Sequence, residues 1–336
     1  MCSYRVGING FGRMGRLALR ALWGRDDLHP VAINEPHGST ETLALLAEFD
    51  SVQGRWAHAC TAPDEETILV GGTRLARSSF LVPAEIPWGA KGVDLVLECS
   101  GEFRTSPLLQ GHFAAGASRV VVSAPVTDGP PNIVVGVNHG DYDLGEHKLI
   151  TAASCTTNGL APIVRVLHDE VGIERGVVTT IHDPTNTQRV HDAPHDDPRR
   201  ARAAQLSLIP TSTNSATAVT MIVPELAGRL DSIAVRAPVL NASLIDFVFH
   251  AERSTSISEV NNILAAAADG PVAGILGYEE RPLVSADFAG DPRSAVIDAL
   301  STRVTDDRLV KVLAWYDNEW GYANRLVELA AMMAAS

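Results

Sequence analysis

The sequence predicts an α/β protein in two parts: a doubly wound sheet that holds a nucleotide, then a part of α+β character. Three observations predict it. A G-x-G-x-x-G run, Gly10, Phe11, Gly12, Arg13, Met14 and Gly15, lies between a strand pattern and a helical one. Near-continuous apolar strands alternate with helical stretches as far as Thr151, as in a parallel sheet covered on both faces. From Cys155 onward the texture changes, and strands at 177–181, 232–236 and 242–249 alternate or run apolar, with a helical pattern over 256–268.

Taken in order, residues 5–9 read as a short buried strand, and Leu17, Leu19 and Leu22 mark the helix after the glycine run. Glycines there permit a tight turn and close approach of a pyrophosphate to the helix N-terminus. Residues 30–34 read as the second strand, ending at Asn34. Glu35 follows, about 20 residues after Gly15, where the fingerprint places a ribose-binding acid. A carboxylate there accepts from the 2′-hydroxyl of NAD and repels the 2′-phosphate of NADP. Residues 93–100 and 119–123 read as further parallel strands, with Asp94, Glu98 and Cys99 as framing residues. They end near Ser100 and Ser123, at the edge where a doubly wound sheet binds its ligand. No internal repeat or flexible linker interrupts the chain.

After an apolar run at 148–151 comes Ala153, Ser154, Cys155, Thr156, Thr157, Asn158, and then Leu160, Ile163, Val164 and Leu167 on one helix face. Cys155 is therefore expected at a helix N-terminus. Unpaired N–H groups and the positive dipole end stabilise a thiolate there, and the neighbouring hydroxyls suit an oxyanion. The same spacing also fits an inert buried Cys with Ser and Thr capping the helix. Residues 184–205 lack periodicity and are rich in Asp, His, Pro and Arg, with Arg199, Arg200 and Arg202 forming a basic cluster. Residues 321–333 read as a terminal helix with Tyr322, Leu326, Leu329, Ala330 and Met333 on one face.

Composition narrows the function. With 336 residues, 46% hydrophobic and 20% charged, the chain has ample length for one or two globular domains. A net charge of −13 argues against a general binder of nucleic acid or anionic membrane, though anionic substrates need a local basic site. No apolar run reaches the roughly 18 residues of a membrane span. The chain starts directly into a strand pattern, so no signal peptide is expected. Four Cys, at 2, 60, 99 and 155, lack CxxC pairs or metal spacing, so neither a disulfide framework nor a metal site is expected. A reducing cytoplasm fits, and a working thiolate requires one.

The run 153–158 resembles the active-site signature of phosphorylating glyceraldehyde-3-phosphate dehydrogenases. Residues 7–15 resemble that family's N-terminus, Thr179 to His182 its catalytic His segment, and Trp315 to Tyr322 its nicotinamide segment. Their order and spacing match, so the resemblance covers essentially the whole chain. It implies an NAD-binding Rossmann domain over 1–154, completed by a C-terminal helix at 321–336. It implies a catalytic and oligomerisation domain over 155–320 with a mainly antiparallel sheet, and a cytoplasmic homotetramer. Cys155 would be the nucleophile and His182 its base. The glycine run, Asn34, Glu35, Arg77, Ser100, Ser123, Asn318 and Tyr322 would hold NAD, with Pro194 crowding the 2′ position. Thr185, Thr187 and Arg236 would hold the substrate phosphate. Ser154, Thr156, Arg200, Thr213 and Asn214 would hold the attacking phosphate or arsenate.

Three departures stand out: Gly159 where the family commonly has a second Cys, Asp183 after the catalytic His where a small or neutral residue is common, and Asn214 where Gly is common. Asp183 places a carboxylate by the imidazole. Erythrose-4-phosphate dehydrogenase shares Glu35 and the Arg-Arg-x-Arg loop, and a non-catalytic binding paralogue is a further alternative. Residues 49–56, 181–188 and 291–298 resemble a subgroup encoded beside the arsenate-resistance exporter ArsJ. Enzymes of that subgroup use arsenate as the acyl acceptor, making 1-arseno-3-phosphoglycerate.

Overall fold

The computed structural model describes residues 3–126, 128–143 and 146–335; Cys2 and Ser336, both inside the expected domain limits, lie outside the described residues. The chain forms two compact units. One comprises Met1–Ile133, His139–Ser154 and Ala323–Ser336, the other Val134–Asn138 and Cys155–Tyr322.

The first unit begins with β1 (Tyr4–Asn9), α1 (Arg13–Leu22), β2 (Leu28–Asn34) and α2 (Thr40–Glu48). Then come β3 (Cys60–Asp64), β4 (Thr67–Val70), β5 (Thr73–Ser78), β6 (Leu95–Glu98), α3 (Ser106–Ala114), β7 (Arg119–Val122) and β8 (Leu149–Thr151). Its sheet runs β3-β4-β5-β2-β1-β6-β7-β8. The six strands from β5 to β8 pair in parallel, and β3 and β4 add an antiparallel ribbon at one edge. The apolar runs explain the core: Val6, Ile8, Val96, Leu97, Val120 and Val121 are fully buried, as strands covered on both faces require. The chain leaves β1 for β2 on one side and returns to β6 on the other. That reversal is a switch point at the carboxyl ends of β1 and β6, the place where such sheets take their ligand. The edge ribbon β3–β4 was not anticipated from sequence; β3 is short and mostly exposed, so it carries little hydrophobic pattern.

The second unit opens with α4 (Cys155–Val171) and β9 (Ile173–His182), followed by β10 (Ile209–Ser212), α5 (Ser215–Ile222), β11 (Leu230–Arg236) and β12 (Ser243–Ala251). It closes with α6 (Ile257–Asp269), β13 (Leu276–Glu279), β14 (Ala295–Thr305), β15 (Leu309–Tyr316) and the start of α7 (Trp320–Ala334). Its sheet runs β10-β11-β9-β12-β15-β14-β13, antiparallel except at β11–β9 and β13–β14. Residues alternate strictly between buried and half-buried along β12, the pattern of a sheet with one covered face. Helices α4, α5 and α6 pack on these strands, and Leu160, Ile163, Val164 and Leu167 of α4 are fully buried. The expected stripe on α7 is likewise buried: Tyr322, Leu326, Leu329, Ala330 and Met333.

Candidate active site

In the first unit the glycine run turns β1 into α1. Gly10 has φ +84°, and a Cβ on it would meet the Ser100 backbone at 2.4 Å. Only glycine tolerates both the left-handed backbone and that approach. A Cβ on Gly15 would lie 2.0 Å from the Gly10 carbonyl, so Gly15 lets α1 close on the turn. Gly12, by contrast, faces open space and caps α1 without a side-chain bond, so no side chain at the cap stands between the helix N-terminus and an anion. Glu35 reaches back across the turn. Its carboxylate accepts from the Phe11 N–H at 2.8 Å and from the His37 N–H at 3.0 Å. Those two bonds leave lone pairs for ribose hydroxyls. Arg77 donates to the Glu35 and Gly38 carbonyls, fixing the loop that carries the acid. Arg13 turns aside to ion-pair with the buried Asp50. Asn34 bonds Asn9, and the Ser100 N–H and hydroxyl both go to Glu98. The Ser123 N–H bonds the Glu98 carbonyl. An open glycine at the helix N-terminus and a carboxylate beside it fit a dinucleotide.

The reactive centre of the second unit is built from distant segments. Ala153, with φ +54°, turns the chain out of β8 at a local cost of about 1–2 kcal/mol, so that after Ser154 the first residue of α4 is Cys155. Along β9, Val178, Thr180 and His182 face the same covered side because side chains alternate. His182 is the last residue of that strand, and its Nε2 lies 3.7 Å from the Cys155 Sγ. Its Nδ1 lies 2.6 Å from Asp183 Oδ1 and 2.8 Å from the Asp183 carbonyl. Both are acceptors, so Nδ1 carries the proton and Nε2 is left for the thiol. Burial works against charge on the ring, but hydrogen bonds to Asp183 and Cys155 outweigh it and push its pKa up to about 9. Burial likewise opposes the thiolate, yet the bond to His182 and its charge hold the Cys155 pKa below the usual thiol range. The other described thiols, Cys60 and Cys99, are pushed by burial up to about 11 and about 12. Cys155 is thus the thiol prepared to react.

Register assembles the surroundings. Arg236 on β11 pairs opposite His182 and donates to the Asp183 carbonyl at 3.0 Å. Burial lowers its pKa, while Cys155, Tyr316 and Asp183 act electrostatically to raise it. Tyr316 at the end of β15 stands edge-on to His182, ring centres 5.9 Å apart. Its hydroxyl bonds Thr156 at 3.0 Å and Thr180 at 2.8 Å, and burial raises its pKa. Asn318 bonds Asp183 and Ser243. Arg200 bonds the Thr211 hydroxyl and the Ser212 carbonyl, and it acts electrostatically on Arg236. Thr185 and Thr187 bond each other at 3.1 Å. Thr213 bonds Ser215 at the start of α5. Tyr322 is buried two residues into α7.

The basic cluster does not stay together: Arg202 pairs with Asp192, and Arg199 lines a separate cavity beside Val177, Asp231 and Ser232. Asn214 has φ −97°, so no glycine is needed there. A Cβ on Gly159 would press on Ile245 Cδ1 and the Ser294 carbonyl, both at 3.1 Å, so the space a second Cys would take is filled. Sequence reasoning missed Ser243 and Thr180, which strand register alone brings in and no local motif announces.

Fold and site describe a two-unit protein with a dinucleotide-type turn in one unit and a thiol–imidazole pair in the other. A family profile described as glyceraldehyde 3-phosphate dehydrogenase, NAD binding domain, matches residues 4–106. Another, glyceraldehyde 3-phosphate dehydrogenase, C-terminal domain, matches residues 154–318. The chain is 58% identical over 333 residues to "Glyceraldehyde-3-phosphate dehydrogenase 3" of Nostoc sp., covering 99% of this chain and 98% of that one. It is 46% identical over 333 residues to the "Glyceraldehyde-3-phosphate dehydrogenase" of Priestia megaterium, covering 99% of both chains. It is 48% identical over 337 residues to that of Pseudomonas aeruginosa, again over 99% of each. The chain belongs to the glyceraldehyde-3-phosphate dehydrogenase family, and its cofactor is NAD.

Proposed function

We propose that the protein oxidises glyceraldehyde 3-phosphate to 1,3-bisphosphoglycerate through a thioester on Cys155, with His182 as base. The observation that carries this is the 3.7 Å approach of His182 Nε2 to the Cys155 Sγ, with the opposite ring nitrogen already committed to Asp183. A proton passes from Sγ to Nε2, and the thiolate adds to the aldehyde carbon. The imidazolium gives its proton to the carbonyl oxygen as the carbon becomes tetrahedral. NAD, when bound, accepts the hydride. His182 takes the oxygen's proton back as the carbonyl re-forms, leaving a thioester. Inorganic phosphate attacks that carbonyl, the C–S bond breaks, and the thiolate returns.

We assign Arg236, Thr185 and Thr187 to the substrate phosphate, and Ser154, Thr156, Arg200, Thr213 and Asn214 to the attacking anion. The support is donor chemistry suited to tetrahedral anions. Phosphate is the proposed acceptor. Arsenate, with the same charge and shape, is a second reading supported by the segments 49–56, 181–188 and 291–298. Steady-state turnover with glyceraldehyde 3-phosphate and with erythrose 4-phosphate, each with phosphate, arsenate or neither, tests all of this. Absence of anion-dependent NAD reduction with both aldehydes would overturn the assignment. An arsenate-to-phosphate ratio no higher than that of a glycolytic relative would remove the arsenate reading.

A homotetramer is part of the proposal. Val177 and Ile181 on β9 and Ile233 on the neighbouring β11 are exposed side by side on the second sheet, and such an apolar surface favours a partner copy. A cytoplasmic site is proposed because a working thiolate needs reducing surroundings. Among the described residues no helix is long and apolar enough to cross a membrane.

A further inference from the structure

Asp183 directly follows β9 and is only 3% exposed. A carboxylate so buried needs donors around it. His182 Nδ1 supplies one at 2.6 Å, Asn318 Nδ2 another at 3.1 Å from Oδ2, and the Ser243 hydroxyl lies 3.4 Å from Oδ1. The Asp183 N–H donates to Ser243 Oγ at 3.2 Å, and Ser243 donates to Asn318 Oδ1 at 2.8 Å. These bonds close a ring from the end of β9, the start of β12 and the turn after β15. A carboxylate can only accept, so Asn318 must turn its amide nitrogen toward Asp183.

The backbone carbonyl of Asp183 already fixes the His182 tautomer. The side chain adds a full negative charge behind the ring, which a small neutral residue would not. The other groups facing His182 are Cys155 from α4, Tyr316 from β15 and Arg236 from β11. The Tyr316 hydroxyl is directed to Thr156 and Thr180, and Arg236 bonds the Asp183 backbone oxygen, so neither takes the place behind Nδ1.

We propose that Asp183 is a positioning residue for the base. Its carboxylate, held by Asn318, which Ser243 holds in turn, pairs with the imidazolium formed when the Cys155 proton moves to Nε2. In that step the S–H bond breaks, the Nε2–H bond forms, and the Nδ1–H stays between the ring and Asp183. The inference rests on Cys155 being the nucleophile.

The test is Asp183→Asn, which keeps shape and removes charge. Alkylation of Cys155 by iodoacetamide is followed against pH in the whole enzyme, without nucleotide or aldehyde. The wild-type His182 inflection is expected near 9. In Asp183→Asn it should fall by about one pH unit or more. Turnover should drop about tenfold or more, with Asp183→Glu restoring part of both. Nitrogen-15 NMR of labelled histidine in the wild type needs no variant: the His182 ring should titrate above the ordinary imidazole value of about 6.5. Superimposable alkylation profiles, or a His182 ring titrating at or below that value, would overturn the proposal while leaving Cys155 in its role. Full activity after Cys155 is alkylated would overturn both.

Discussion

Each unit buries a carboxylate–imidazole pair, and the two do different work. In the first, His112 Nε2 sits 2.8 Å from Glu98. In the second, His182 Nδ1 sits 2.6 Å from Asp183. The difference lies on the far side of each ring. His112 Nδ1 takes the indole N–H of Trp88 at 3.1 Å, a group that only donates. Glu98 is further occupied by Asn9 and by the N–H and hydroxyl of Ser100. That network has no partner that exchanges protons, so it braces β1, β6 and α3. His182 turns its far nitrogen to a thiol, which does exchange a proton. The same pair is therefore scaffold or chemistry according to what the second ring nitrogen meets.

The comparison breaks most visibly at its reactive partner. Replacing Cys155 with Ser should reduce aldehyde oxidation by about 10⁴-fold or more while NAD binding persists, measured by turnover and nucleotide titration. Next come the two histidines. His182→Gln should lower kcat by about 10²–10⁴-fold, with a small change in unfolding midpoint when unfolding is followed above about pH 9, where the charge contribution of the ring is lost. His112→Gln should do the reverse, costing about 2–3 kcal/mol in urea unfolding with turnover nearly unchanged. Similar losses in both properties from both variants would dissolve the distinction.

Glu35 extends the comparison to a carboxylate with backbone partners alone. Glu35→Gln should reduce the preference for NAD over NADP by about 10–100-fold, the scale of one charge facing a phosphate in a partly dry site. An unchanged ratio of catalytic efficiencies would place the 2′ selectivity elsewhere.

The pH dependence sharpens the chemical pair. The His182 pKa is raised in the folded state, to about 9. Its contribution to stability is thus complete below the unfolded value of about 6.5 and is lost as pH rises through about 9. The stability gap between wild type and His182→Gln should shrink by an amount on the order of 2 kcal/mol across that window. A gap that widens with pH would reverse the sign. The smallest effect is expected at Asn214, whose side chain makes no capping bond. Asn214→Gly should change stability by only a few tenths of a kcal/mol.

How much of this was legible follows from where each residue's partners lie in the chain. The glycine run, the Glu35 spacing and the Cys155 helix start are local, so the sequence carries them as pattern. Gly12 faces open space and Gly15 close packing because a tight strand–turn–helix demands both. His182 could be chosen among 11 His only by resemblance, since periodicity marks a covered strand face but not what lies across it. Ser243, Thr180 and the second role of Asn318 were invisible: they arise from β12 pairing with β9 and β15, contacts of long sequence separation. Asp183 was legible as a charge beside the base, but not as a held one. The basic cluster misled because residues one and two apart on a loop take different directions and find different partners.

The central claim is that the Cys155 thiol, paired with His182, carries the acyl group. Enzyme mixed with glyceraldehyde 3-phosphate and NAD in the absence of phosphate or arsenate, quenched in acid and analysed by peptide mass spectrometry, tests it directly. The predicted result is a 3-phosphoglyceroyl adduct on the Cys155 peptide that disappears when phosphate is added before quenching. An adduct on Cys60 or Cys99, or NAD reduction with no adduct on Cys155, would contradict it.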